Sequence, residues 1–126
     1  MAPPELVISG VVVKGDQRGR ELGFPTANVR IPSGPDTPAF GIYGGLVDGR
    51  PAAISIGVRP TFGDGLEPLL EAYILDFDGD LYGRTVEVCL LERIREERSF
   101  DSVDELIEEM HRDVRRVREL IARRSG

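Results

Sequence analysis

With 126 residues and a net charge of −6, the chain is long enough for one domain that buries roughly two-thirds of its unfolded surface. It is too acidic for a general nucleic-acid binder, whose footprint is a basic face. The lone cysteine, Cys89, excludes an internal disulfide, and no apolar run approaches membrane-spanning length. The opening Met-Ala-Pro-Pro-Glu lacks the basic and apolar regions of a signal peptide, so the expectation is a cytoplasmic protein with neither nucleic acid nor membrane as partner.

Leu6 to Lys14 is rich in valine and isoleucine and reads as a strand that ends at Gly15. The stretch from Gly15 to Asn28 then brings together Gly15, Gly19, Gly23, Arg18, Arg20, Thr26 and Asn28. Glycines let backbone N–H groups close on an anion, and the arginines add permanent positive charge beside Lys14, the only lysine. Thr26 and Asn28 offer neutral oxygens suited to a hard cation. They lie two apart, so in an extended segment their side chains share a face and both oxygens can meet one magnesium ion; the plainer alternative is that they bond the backbone of a turn after Pro25. No Gly-Lys-Ser/Thr follows the glycines at the spacing of a Walker A loop.

Arg30 to Ala39, with three prolines and a glycine, reads as a loop. Phe40 to Val47 and Arg50 to Val58 flank Asp48-Gly49, the dipeptide that favours a type I′ turn, and predict a hairpin. Arg59 to Pro68 reads as a second loop, after which Leu69 to Phe77 and Asp80 to Glu92 flank Asp78-Gly79 and predict a second hairpin. Strands joined by short turns imply an antiparallel sheet that closes into a small barrel. Asp76, Asp78, Asp80 and Glu87 also have the spacing of a calcium loop. Leu81 occupies the position where that loop needs glycine, and the flanks read as strands, so solvated turn acids are the better reading.

Val103, Leu106, Ile107, Met110, Val114, Val117 and Ile121 recur at spacings of three and four and predict a C-terminal helix that packs on the barrel, with Ser102 and Glu105 as a capping box. Asp104, Glu105, Glu108 and Glu109 near its start and five arginines near its end follow the helix dipole and read as a solvated charge gradient. His111, the only histidine, sits at the stripe's margin and receives no role.

Pro25-Thr26-Ala27-Asn28, Gly41-Ile42-Tyr43, Ile56 to Phe62, Glu71 to Gly83 and Arg93 to Asp101 together resemble the riboflavin kinase family, in order, from about Gly10 to Leu120. Gln17 and Arg59 depart from residues common there without removing a group that has a role. The resemblance implies a six-stranded, Greek-key-like antiparallel barrel with a C-terminal helix, and transfer of the γ-phosphoryl of Mg·ATP to the 5′-hydroxyl of riboflavin, giving FMN and ADP. It implies ATP contacts at Gly15, Arg20, Thr26, Ile74, Asp76 and Tyr82, magnesium at Thr26 and Asn28, and flavin contacts at Arg95, Arg98 and Phe100. Glu71 resembles the family's catalytic glutamate. It lies among Leu, Ala, Tyr and Ile, where partial burial favours the proton-accepting role of a general base.

Residues 1–126 are expected to form a single kinase domain without an adenylyltransferase domain, although the resemblance is to the C-terminal module of bifunctional enzymes and a natural fusion stays open. Two other classes compete. A non-catalytic flavin- or nucleotide-binding module would have no need of Thr26, Asn28 and Glu71 together. An oligonucleotide-binding barrel needs basic grooves and exposed aromatics, whereas this acidic chain has five phenylalanines, three tyrosines and no tryptophan.

Overall fold

The computed structural model describes residues 6–14, 25–31, 37–60 and 66–125. Among the described residues there are six strands: β1 (Leu6–Val13), β2 (Ala27–Arg30), β3 (Gly41–Val47), β4 (Arg50–Pro60), β5 (Leu66–Ile74) and β6 (Thr85–Arg95). One helix, α1 (Val103–Ser125), follows. All pairings are antiparallel, and the order β1-β2-β5-β4-β3-β6 closes on itself through the β1–β6 ladder. Strands β3, β4 and β5 run as a meander, while β2, joined to β3 by the longer connection, lies beside β5. That arrangement is a Greek key.

Period-two patterning explains which side of the barrel each residue takes. Along β4, Ala52, Ile54 and Ile56 are fully buried, with half-buried Ala53 and Ser55 between them on the outer face. On β6, Val86, Val88 and Leu90 point inward and Glu87 outward. With Val29, Val47, Leu70 and Ala72 these residues fill the barrel, and each large aliphatic side chain buried here stabilises the fold by about 1.5–3 kcal/mol.

The first predicted hairpin is present: Asp48 and Gly49 take φ of 48° and 83°, the pair of positive values that a type I′ turn requires, and Val47 faces Arg50. The second is not. β5 pairs with β2 and β4, whereas β6 pairs with β1 and β3, so the two strands never meet. The chain turns instead at Asp76 (φ 57°), just after Leu75 N–H donates to the Pro51 carbonyl at 2.9 Å, and neither Asp78 nor Gly79 has positive φ. Phe77 and Leu81 then pack against the core, which makes this connection a cap on one end of the barrel.

The predicted loop from Arg59 to Pro68 is also shorter than expected, since β4 continues to Pro60 and β5 begins at Leu66. Pro68 faces Val58 within the β4–β5 ladder but lies beyond Leu69, the β5 residue paired with Arg30 at the end of β2, so β5 is an edge on that side there, the setting in which proline is tolerated in a strand.

At the start of α1, the Glu105 N–H donates to Ser102 Oγ at 3.2 Å, while Glu105 Oε2 accepts from the Asp101 N–H at 3.3 Å. The capping box is therefore displaced by one residue on its return arm. α1 lies across β3 and β4. A side chain at Gly44 would meet Leu120 Cδ2 at 2.6 Å, so this glycine on β3 is the seat that lets Val117 and Leu120 bury. Not every acid of the predicted solvated gradient is solvated. Glu109 is buried at 6% exposure, as is Asp113 one turn further on at 5%, because α1 turns both toward the barrel and Arg95.

Candidate active site

Cross-strand register assembles the site. Asn28 on β2 faces Glu71 on β5, Glu71 faces Ser55 on β4, Ser55 faces Ile42 on β3, and Ile42 faces Arg95 on β6. Each of the first three is flanked in sequence by core residues, so this row lies on the outside of the barrel. Directly opposed residues have Cβ atoms about 4.5–5.5 Å apart, which makes neighbours of groups from distant parts of the sequence.

Two clefts meet near one end of this row. The larger, about 480 Å³, lies between the outer face of β3, β4 and β5, the helix, and the connector from β6 to α1. Glu71, Ser55 and Ile42 form one wall, Glu97, Arg98 and Phe100 a second, and Leu106, Met110 and Val114 a third. The smaller, about 220 Å³, opens at the barrel end under the cap, where Lys14, Asn28, Ile74 and Tyr82 converge. Thr26 lines both clefts.

Each sequence-predicted residue can now be placed. Gly15 and Arg20 lie outside the described residues. Thr26 is half-buried beside β2, Asn28 is buried at 8% exposure, and Ile74 is buried; all three line the smaller cleft. Tyr82 lines it too, exposed, with its N–H held by Asp80 Oδ1 at 2.9 Å and Lys14 Nζ 5.6 Å from its ring centroid. Asp76 does not line either cleft. Its two carboxylate oxygens each accept from Arg118 at 3.1 Å, and this exposed pair ties the start of the cap to the helix. The Arg118 hydrogen bond, followed by its charge, holds the Asp76 carboxyl below the usual carboxylate range.

Glu71 is half-buried and lines the larger cleft, as do the residues expected at the flavin. The Arg98 guanidinium lies 4.8 Å from the Phe100 ring centroid, a cation–π stack that presents an aromatic face with a cationic edge. Arg95 is already engaged. Its Nε and Nη2 donate to the two carboxylate oxygens of Asp113 at 2.9 and 2.8 Å, and Nη1 donates to the Glu96 carbonyl at 2.9 Å. Burial works to discharge this arginine, but the Asp113 hydrogen bonds and the charges of Asp113, Glu109 and Glu97 outweigh it and hold the guanidinium above its ordinary range. Glu109 is in turn held low, first by its hydrogen bond from Arg112, against burial, and then by the charges of Arg95, Arg116 and Arg112.

Sequence reasoning gave no role to Ser55, Glu97, Glu109 or Asp113. The signal for the last two was their interleaving with the apolar stripe, since 109, 113, 117 and 120 repeat at helical spacing. For Ser55 it was a hydroxyl alternating with core isoleucines on β4. Among the described residues no cluster of three or more His, Cys, Asp or Glu is placed to hold a metal ion. Thr26 and Asn28 bring neutral side-chain oxygens to the smaller cleft, a donor chemistry compatible with magnesium that keeps phosphate oxygens and water as its remaining ligands.

Residues 3–121 match the family model for riboflavin kinase, described as Flavokinase. An RNA-binding riboflavin kinase, RibR, from Bacillus subtilis is 43% identical over 86% of this chain and 48% of its own length. A bifunctional riboflavin kinase/FMN adenylyltransferase from Escherichia coli is 44% identical over 89% of this chain and 37% of its own. The chain thus spans half or less of the length of these curated relatives. Among solved structures, one described as a macrolide-efflux protein from Streptococcus pneumoniae superposes with a TM-score of 0.81 at 41% identity, over 90% of this chain and 38% of that one. No helix among the described residues here is long and apolar enough to cross a membrane. Riboflavin kinase from Trypanosoma brucei superposes with a TM-score of 0.68 at 27% identity, over 94% of this chain and 80% of that one. Through the family match over residues 3–121, together with the six-stranded barrel and helix, the chain belongs to the riboflavin kinase family.

Proposed function

We propose that this chain transfers the γ-phosphoryl group of Mg·ATP to the 5′-hydroxyl of riboflavin, giving FMN and ADP. The observation that carries the reading is the meeting of the two clefts at Thr26, with Asn28 and Glu71 directly opposed across the β2–β5 ladder. A nucleotide in the smaller cleft and a flavin in the larger would then bring phosphoryl donor and hydroxyl acceptor together beside Glu71.

The larger cleft has the chemistry of a flavin site: an apolar floor from Ile42, Met110 and Val114, an aromatic face at Phe100 and a cationic edge at Arg98. In the smaller cleft, Ile74 and the Tyr82 ring offer apolar surface to a base, and Lys14 brings positive charge toward phosphates. Gly15 and Arg20 remain proposed phosphate contacts. Thr26 and Asn28 would hold the magnesium ion, which when bound supplies positive charge to the phosphate oxygens. Asp76 and Arg95 act on the site by holding the cap and the connector, since each is committed to a partner on α1.

In the reaction, the riboflavin oxygen forms a bond to the γ-phosphorus as the bond from that phosphorus to the β,γ-bridging oxygen breaks, and ADP departs with the bridging oxygen's charge. Glu71 takes the proton from the attacking hydroxyl and releases it to solvent. Fixing both partners in one enclosed geometry contributes the rest. The names of the bifunctional relatives also support a natural fusion of such a kinase to an FMN adenylyltransferase domain.

Replacing Glu71 tests the assignment. Glu71→Gln keeps the side chain's shape but accepts a proton poorly, so kcat should fall by roughly 10² to 10⁴ with flavin and nucleotide affinity retained. An unchanged kcat removes Glu71 from the mechanism, and a change confined to KM makes it a positioning group.

A further inference from the structure

The larger cleft holds a second carboxylate to which the reaction above gives no task. Ser55 Oγ donates to Glu97 Oε1 at 2.7 Å, which draws the connector after β6 onto the outer face of β4. The same carboxylate rests against Gly57. A Cβ at that position would lie 2.8 Å from Oε1 and 2.9 Å from Oε2, so a residue without a side chain gives the carboxylate its seat.

Ser55 and Gly57 alternate along β4 and share its outer face, and Ser55 is the cross-strand partner of Glu71. Glu71, Ser55 and Glu97 therefore form one row of oxygen atoms along the cleft. Because Ser55 commits its only proton to Glu97, both side chains offer acceptor lone pairs to whatever enters. A wall of acceptors selects an occupant rich in donors, and hydrogen bonds from hydroxyls to a carboxylate are the strong, charge-assisted kind. Several adjacent hydroxyls on a flexible chain match this row; a chain of bare methylenes would leave the carboxylate desolvated and unpaired.

We propose that Glu97, seated by Ser55 and Gly57, selects the phosphoryl acceptor by accepting hydrogen bonds from the secondary hydroxyls of its polyol chain, next to the primary hydroxyl served by Glu71. This inference rests on the flavin reading of the cleft. It makes Glu97 a specificity-determining residue and leaves the proton with Glu71.

Two acceptors discriminate: riboflavin, and a flavin whose side chain is an unbranched hydroxypentyl group that keeps the terminal hydroxyl and lacks the others. For the wild-type protein, Glu97→Ala and Gly57→Ala, kcat/KM is measured on each with Mg·ATP, and affinity for each by quenching of flavin fluorescence. Gly57→Ala is informative because the new methyl meets only the end of a flexible side chain, so it displaces the Glu97 carboxylate without removing it. The wild-type preference for riboflavin should be on the order of 10- to 100-fold, and both variants should lose most of it by losing riboflavin alone. Equal losses on the two flavins, or an unchanged preference, would overturn the proposal. If the wild-type protein binds riboflavin with this preference but phosphorylates neither flavin, the kinase reading fails and the role of Glu97 stands. Wild-type protein that binds neither flavin overturns both.

Discussion

Thr26 lines both clefts, and Asn28, two residues on, is buried on the strand facing Glu71. If their oxygens hold magnesium, Thr26→Ala and Asn28→Ala should each weaken Mg·ATP binding by about tenfold or more with the fold retained. The magnitude follows from losing one of the two protein oxygens offered to the ion. Calorimetric titration with Mg·ATP measures it, and wild-type affinity in both variants removes the assignment. Much of this neighbourhood was readable in the sequence because Thr26 and Asn28 are close in the chain and a strand puts them on one side. The partner of Asp76 was not. Its φ of 57° and its pairing with Arg118, far along the chain, depend on where the helix lands.

At the scale of elements, α1 carries the clearest energetic consequences. Arg95 ends β6 and Asp113 sits in mid-helix; their buried pair, joined by Glu109, fixes the angle at which the connector crosses the larger cleft. Asp113→Ala removes both carboxylate hydrogen bonds from the half-buried Arg95 and leaves it only the longer contact to Glu109, so it should cost about 1.5–3 kcal/mol in denaturant unfolding at pH 7. By contrast, Ser102→Ala removes a cap acceptor at an exposed helix start and should cost about 1 kcal/mol.

Glu109 adds a pH dependence of defined sign. Its folded-state pKa is lowered, so its stabilising contribution is complete above the unfolded glutamate value of about 4.3 and disappears as pH falls through the lower folded value. Glu109→Gln should therefore be less stable than wild type at pH 7, and the gap should narrow as the pH drops below about 4. Unfolding midpoints that stay equally far apart down to pH 2 would contradict the assignment.

The helix itself, its cap and the Asp48-Gly49 hairpin were legible because each is a local pattern. The Asp78-Gly79 hairpin failed because the dipeptide's turn preference competes with burial of Phe77 and Leu81, and the cap formed by that burial prevails. Glu109 and Asp113 resemble a solvated charge run until Arg95 arrives from another element to pair with them.

At the scale of the whole molecule, closure of the barrel is what turns separate segments into a site. The β2–β5 and β4–β5 ladders bring Asn28 and Ser55 to either side of Glu71, and such long-range pairing cannot be read from local periodicity. The resemblance of ordered motifs supplied the six-stranded architecture, and the alternating strands supplied its interior. Closure also joins the walls of the larger and smaller clefts to a single core, so damage to that core should reach both clefts together. The most direct test of the central claim is to incubate the protein with riboflavin, ATP and magnesium and separate the flavins and nucleotides by chromatography. The account predicts FMN and ADP in equal amounts; riboflavin that binds but is recovered unphosphorylated would contradict it and leave a flavin-binding module in its place.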